Sequence, residues 1–94
     1  MPSFLVEAYL PRSQPDEAQA AGRRTRAAAN ALSREGTPVR YVRTTFLPDD
    51  ETCFHLVEAV STEVVEELSR RAELGHTRIV PAIEASRARR PRAR

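Results

Sequence analysis

The order in which this chain's apolar residues switch from a two-residue to a three-to-four-residue period constrains its fold more than any other feature. Residues 3–10 (SFLVEAYL) alternate, with Phe4, Val6, Ala8 and Leu10 on one face and Leu5, Glu7 and Tyr9 on the other, so they read as a strand. Pro11 ends it. An alanine-rich stretch follows in which Ala18, Ala21, Thr25, Ala28 and Leu32 recur at helical spacing, and this predicts a helix over 14–35 with Ser13 as its N-cap. Gly36 and Pro38 supply the stop. The second half repeats the theme. Residues 39–47 (VRYVRTTFL) are rich in β-branched and aromatic types, Pro48-Asp49-Asp50 is turn chemistry, and 52–59 (TCFHLVEA) forms the return strand of a hairpin. Ser61 opens a second helix, with Val64, Val65, Leu68 and Ala72 on its apolar face, that is expected to reach Leu74-Gly75. The last strand, 78–84, carries Pro81, which lacks an N–H for the ladder and belongs at an edge.

Strand, helix, strand, strand, helix, strand is the βαββαβ order, and Leu5-Val6-Glu7-Ala8 recurs as Leu56-Val57-Glu58-Ala59 at the matching place in the second half. Right-handed crossovers then give an α+β fold of the ferredoxin-like type: a four-stranded antiparallel sheet, strands one and three central, both helices on one face. Val6, Ala8, Val57 and Ala59 face the helices, whereas Glu7, Tyr9, Phe54, Leu56 and Glu58 face away. No helix is left to cover Leu5, Tyr9, Phe54 and Leu56. Uncovered apolar surface of that kind marks an interface, so a homodimeric α/β barrel formed by two such sheets is expected.

Composition narrows the class. Ninety-four residues allow one domain, expected over 1–85. All fifteen basic residues are arginine, and five of them (Arg87, Arg89, Arg90, Arg92 and Arg94) fall in the last eight positions, an expected disordered tail over 86–94. Without those five, ten arginines face thirteen carboxylates and the net charge of +2 becomes −3. A mildly acidic domain is not the basic face that nucleic acid requires. No apolar run approaches the ~20 residues of a membrane span, and the early Glu7 without a preceding basic region is unlike a signal peptide. One cysteine builds no internal disulfide, which points to the cytoplasm. Without lysine, Schiff-base and amine-base chemistry is closed to this chain.

Two sets of residues carry candidate chemistry. The hairpin turn, the start of strand three and the end of helix two share one rim of the sheet, which brings Asp49, Asp50, Cys53, His55 and His76 towards each other. Cys-x-His on a strand places both side chains on one face, roughly 6–7 Å apart at Cα, and thiolate with imidazole suits zinc, nickel or copper. Cys53, His55 and His76 are therefore the expected metal ligands. The plainer reading makes Cys53 a small core residue, His55 a buried hydrogen-bonded imidazole, and His76 a solvated loop residue. Glu7 and Glu58, with Tyr9 nearby, form the second set, expected to line a small-molecule site on the outer face. Desolvated carboxylates there would serve as general acid or base for a small apolar substrate, with Tyr9 or Tyr41 supplying a phenol; the plainer reading pairs them with Arg40 or Arg43 across the dimer. No nucleophile–base constellation, glycine-rich phosphate loop or CxxC pair appears.

The segments FLVEAYLP, VRYVRTTFLPDDETCF and SRRAELGHTRIV, in this order and over nearly all of residues 3–84, resemble a small bacterial ferredoxin-like family of nickel-binding proteins. The resemblance implies a dimeric α/β barrel that binds nickel and no known reaction; Glu7 and Cys53 fall on positions that match the family pattern. Many members carry a histidine on helix two where this chain has Leu68, and some a polar residue or histidine on strand two where it has Arg43. His55 faces the same way as Cys53 and is the expected replacement ligand. A small cytoplasmic metal-binding homodimer is thus the first expectation, and an enzyme using Glu7 or Glu58 the second.

Overall fold

A computed structural model describes residues 1–83 and 85. Its elements run β1 (Ser3–Tyr9), α1 (Pro15–Arg34), β2 (Val39–Leu47), β3 (Thr52–Ala59), α2 (Thr62–Arg71) and β4 (Thr77–Ala82). They form one open antiparallel sheet in the order β2-β3-β1-β4, the arrangement predicted from the period switches. Pro81 lies opposite Phe4 on β4, an outer strand whose free edge needs no donor from it. The expected tail over 86–94 lies outside the described residues.

Both helices cover the face that carries Phe4, Val6, Val57 and Ala59. There Ala28, Ala29 and Leu32 of α1 and Val65, Leu68 and Ala72 at α2 close a dry core. Three local expectations are corrected. Ser13 does not cap α1; Gln14 holds the N-cap position without a side-chain bond, and Pro15 starts the helix with its φ already set. α2 stops at Arg71 rather than Leu74, because Glu73 turns left-handed at φ 55° and breaks the ladder. β4 begins at Thr77 and ends at Ala82. Ser61 does cap α2, its hydroxyl accepting the Val64 N–H at 3.4 Å. Arg71 then ties the helices together through Glu35 at 2.8 Å and Glu67 at 2.8 Å.

Among the described residues no helix covers the other face of the sheet. Leu56 is only 7% exposed there, and Leu5 and Phe54 are half-buried around a shallow depression of about 240 Å³ bordered by Arg43 and Thr45.

Candidate functional site

Strand alternation places Cys53 and His55 side by side on the helix-covered face of β3, opposite Ala8 and Val6 of β1. On the other side Phe46 and Thr44 of β2 face them. The cover at this end is α1, through its smallest residues. Gly22 sits so close to β2 that a Cβ there would stand 2.9 Å from Thr44 Oγ1 and 3.1 Å from Tyr41 Oη.

A β-bulge completes the arrangement. The β2–β3 register shifts between Tyr41 and Arg43, so Val42 is an extra residue in the ladder. Tyr41 and Thr44, three positions apart, would point to opposite faces of a regular strand. With the bulge both point inward, Tyr41 opposite Val57 and Thr44 opposite His55. The hydroxyls of Tyr41 and Thr44 lie 2.6 Å apart, Thr44 Oγ1 lies 2.7 Å from His55 Nδ1, and His55 Nε2 lies 3.8 Å from Cys53 Sγ. The result is a relay from the flank of α1 to a buried thiol. Its protons can be arranged in two ways. In one, Tyr41 donates to Thr44, Thr44 to Nδ1, and Nε2–H to the sulfur. In the other, Nδ1–H donates to Thr44, Thr44 to Tyr41, and the Nε2 lone pair is left facing Cys53.

Burial sets the electrostatics. His55 is fully buried, and desolvation, with the charge of Arg24 behind it, lowers its pKa to about 4. Burial also pushes the Cys53 thiol up, and Glu17 adds to the shift. At neutral pH the pair is therefore an uncharged imidazole beside a protonated thiol. Arg24 is held by the Ala72 carbonyl at 2.8 Å and by Glu17 at 3.0 Å. A cavity of about 70 Å³ adjoins the pair, bordered by Arg24, Glu17, Glu73 and Leu74.

The remaining predicted residues sit elsewhere. His76 is exposed on the loop before β4, two residues beyond Leu74. Asp49 and Asp50 occupy the exposed β2–β3 turn, where the Asp50 carbonyl accepts from Thr52 Oγ1 and the neighbouring Glu51 carboxylate accepts the Arg12 N–H. Among the described residues no three His, Cys, Asp or Glu side chains are grouped to hold a metal ion. Cys53 and His55 supply two suitable donors. Their 3.8 Å separation is below the ~4.4 Å sum of ordinary metal–sulfur and metal–nitrogen bonds, so one ion can touch both.

Glu7, Tyr9 and Glu58 lie on the outer face. Glu7 is 3.6 Å from Arg78 and Glu58 is 3.0 Å from Arg40, so each carboxylate has a guanidinium within its own chain. Glu58 stands opposite Ser3, four residues along β1 from Glu7, which separates the two carboxylates by roughly 13 Å at the strand rise. Tyr9 is 71% exposed and, at the end of β1, also borders the cavity beside Cys53 and His55, whereas Tyr41 belongs to the helix-covered face. Sequence reasoning missed Thr44 and Gly22. A glycine inside an alanine-rich helix was the available signal, since it costs about 1 kcal/mol there and usually has a packing reason.

No helix is long and apolar enough to cross a membrane among the described residues. No curated protein matches the chain. Its structure is similar to the crystal structure of SCO4226 from Streptomyces coelicolor A3(2), with a TM-score of 0.68 and 19% identity over 89% of this chain and 99% of that one. At that identity the likeness shows a shared fold. The family profile described as "Nickel responsive protein SCO4226-like" matches residues 4–81. That match spans the sheet, both helices and the Cys53–His55 pair, and the chain belongs to the SCO4226-like family of nickel-responsive proteins.

Proposed function

We propose that this protein is a small, non-catalytic metal-binding protein that takes up nickel at Cys53 and His55. The carrying observation is the 3.8 Å approach of Cys53 Sγ and His55 Nε2 beside a cavity of about 70 Å³. Thr44 supports it. A metal-bound histidine donates its other ring N–H to an oxygen, and Thr44 Oγ1 at 2.7 Å from Nδ1 is such an acceptor. Two protein donors leave positions for water in the cavity. His76 is the candidate for a further ligand, because Glu73 and Leu74 of its loop border the same cavity. The raised thiol pKa makes uptake pH-dependent: the thiol must lose its proton to bind, so affinity rises with pH.

Calorimetric titration with Ni²⁺, run on the wild type beside Cys53→Ser and His55→Ala, tests the reading. Each change is expected to weaken binding at least tenfold, roughly the loss of one ligand's stabilisation. Absence of binding, or binding indifferent to both changes, sinks it.

The same proposal includes a homodimer through the outer face and a cytoplasmic location, where a reduced cysteine persists. Leu5 and Phe54 support the dimer, since they are only half-buried and no element among the described residues covers them, whereas Leu56 between them is already buried. Phe54→Arg is expected to convert a dimer to a monomer in sedimentation equilibrium; a wild type that sediments as a monomer removes this part. The enzyme reading has less support, because Glu7 and Glu58 are arginine-paired and far apart.

A further inference from the structure

A groove of about 550 Å³ runs between α1 and β2 on the flank opposite the thiol end of the relay. The metal reading uses only Thr44 of its lining, as the partner of His55 Nδ1. Its volume falls within the range of small-molecule sites. The floor is Gly22, Tyr41 and Thr44; Phe46 supplies an apolar wall; Arg23 and Arg26 stand along the helix side. Three-residue spacing puts both guanidinium groups on the same helical flank. Arg26 lies over the Tyr41 ring, 5.3 Å from its centroid. Neither arginine has a carboxylate partner among the described residues, whose ion pairs occupy Arg24, Arg40, Arg70, Arg71 and Arg78 and leave Arg12, Arg34 and Arg43 likewise without one.

We propose that this groove binds a small organic carboxylate with a flat apolar body. Two guanidinium groups, which carry donors and no acceptors, select an anion and can grip a carboxylate bidentately. Phe46 and the ring of Tyr41 select an apolar, planar body over inorganic phosphate. Gly22 explains why the floor is so close. Without a Cβ it lets the Tyr41 and Thr44 hydroxyls rise to the groove, where the Tyr41 phenol can donate to the carboxylate. The Tyr41 proton is free for the carboxylate when Thr44 donates to Tyr41, the second of the two proton arrangements. The two arginines and the apolar wall act whether or not Cys53 and His55 hold a metal.

The test uses the full chain without added metal and benzoate as probe, followed by two-dimensional amide NMR. Benzoate is expected to shift the amides of Gly22, Arg23, Arg26 and Thr44 saturably, while benzamide, its neutral counterpart, and inorganic phosphate leave them in place. The double variant Arg23→Gln/Arg26→Gln changes two exposed side chains. It is expected to keep the wild-type spectrum elsewhere and to weaken benzoate roughly tenfold or more. Shifts that do not saturate, or that spread over the C-terminal arginines, overturn the proposal. So do equal binding of benzamide or phosphate and unchanged affinity in the double variant.

Discussion

The two ends of the covered sheet face are built from the same strands and differ in kind. Under α2 and the second half of α1, Phe4, Val6, Val57, Val65 and Leu68 close an apolar core. The buried polar side chain that α2 brings to this end, Ser69, has a hydroxyl without a hydrogen-bond partner. Under the first half of α1, the apolar cluster shrinks to Leu10, Ala18 and Cys53 with Phe46 beside it. Next to it lie His55 and Thr25, both completely buried. Thr25 satisfies itself by donating to the Ala21 carbonyl at 2.8 Å, but His55 depends on Thr44 across the sheet. The difference shows what the small residues of α1 are for. Ala28 and Ala29 bring the helix close to make a core, whereas Gly22 brings it close to make room for hydroxyl groups.

Truncation gives the largest test of this contrast. Leu68→Ala removes a fully buried side chain from the dry end and is expected to destabilise by about 2–5 kcal/mol, a large part of a small domain's total. Leu10→Ala, at the polar end, already borders the cavity of about 70 Å³ and loses fewer neighbours, so its effect belongs at or below the bottom of that range. Urea unfolding of both variants measures the difference. Equal losses would erase the distinction between the two ends.

Acid is the second way to separate them. In the unfolded chain His55 takes up its proton near pH 6.5, and in the folded protein only near 4. Between those values the unfolded state binds more protons, so stability is full above about pH 6.5 and falls as pH drops towards 4, by about 3 kcal/mol in all. Glu35 and Glu67, which Arg71 and Arg70 hold below the ordinary carboxylate range, add their loss only at lower pH. Thermal midpoints across pH 4–7 should therefore decline in the wild type and stay flatter in His55→Gln over the same window. A His55→Gln protein with the wild-type slope removes His55 as the source.

Much of this architecture was legible in the residues, and the illegible parts have physical causes. The period switches, Pro81 and the matching tetrapeptides are repeated, additive signals, and they predicted the order of elements, the edge strand and the covered face. The shared face of Cys53 and His55 followed from their spacing of two. The relay did not, because it depends on a single unpaired residue: Val42 shifts Tyr41 to the face of Thr44, and no local propensity marks that bulge. The early stop of α2 was hidden for a similar reason. Glu73 takes a left-handed conformation for which Gly75, two residues later, was the better candidate. Tertiary placement also decides what Glu7 and Glu58 can do. Sequence alone puts both on one face, but only the register shows them four residues apart along the sheet.

Gly22→Ala carries the smallest effect and the sharpest sign. In an exposed helix alanine would stabilise by about 1 kcal/mol. Here its Cβ would stand 2.9 Å from Thr44 Oγ1, a hydroxyl fixed between Tyr41 and His55, and moving it strips a buried imidazole nitrogen of its partner. That loss is worth about 1–3 kcal/mol, enough to outweigh the propensity gain, so the variant is expected to be less stable by about 1 kcal/mol. In a Thr44→Ala background the obstructing oxygen is gone and Tyr41, freed of its partner, can swing aside. The same substitution should then stabilise by about 1 kcal/mol, a reversal that only direct coupling between the two positions produces. Unfolding curves of the four proteins in this cycle decide the matter. If Gly22→Ala stabilises in both backgrounds, the close approach of α1 is ordinary packing and the relay does not need it.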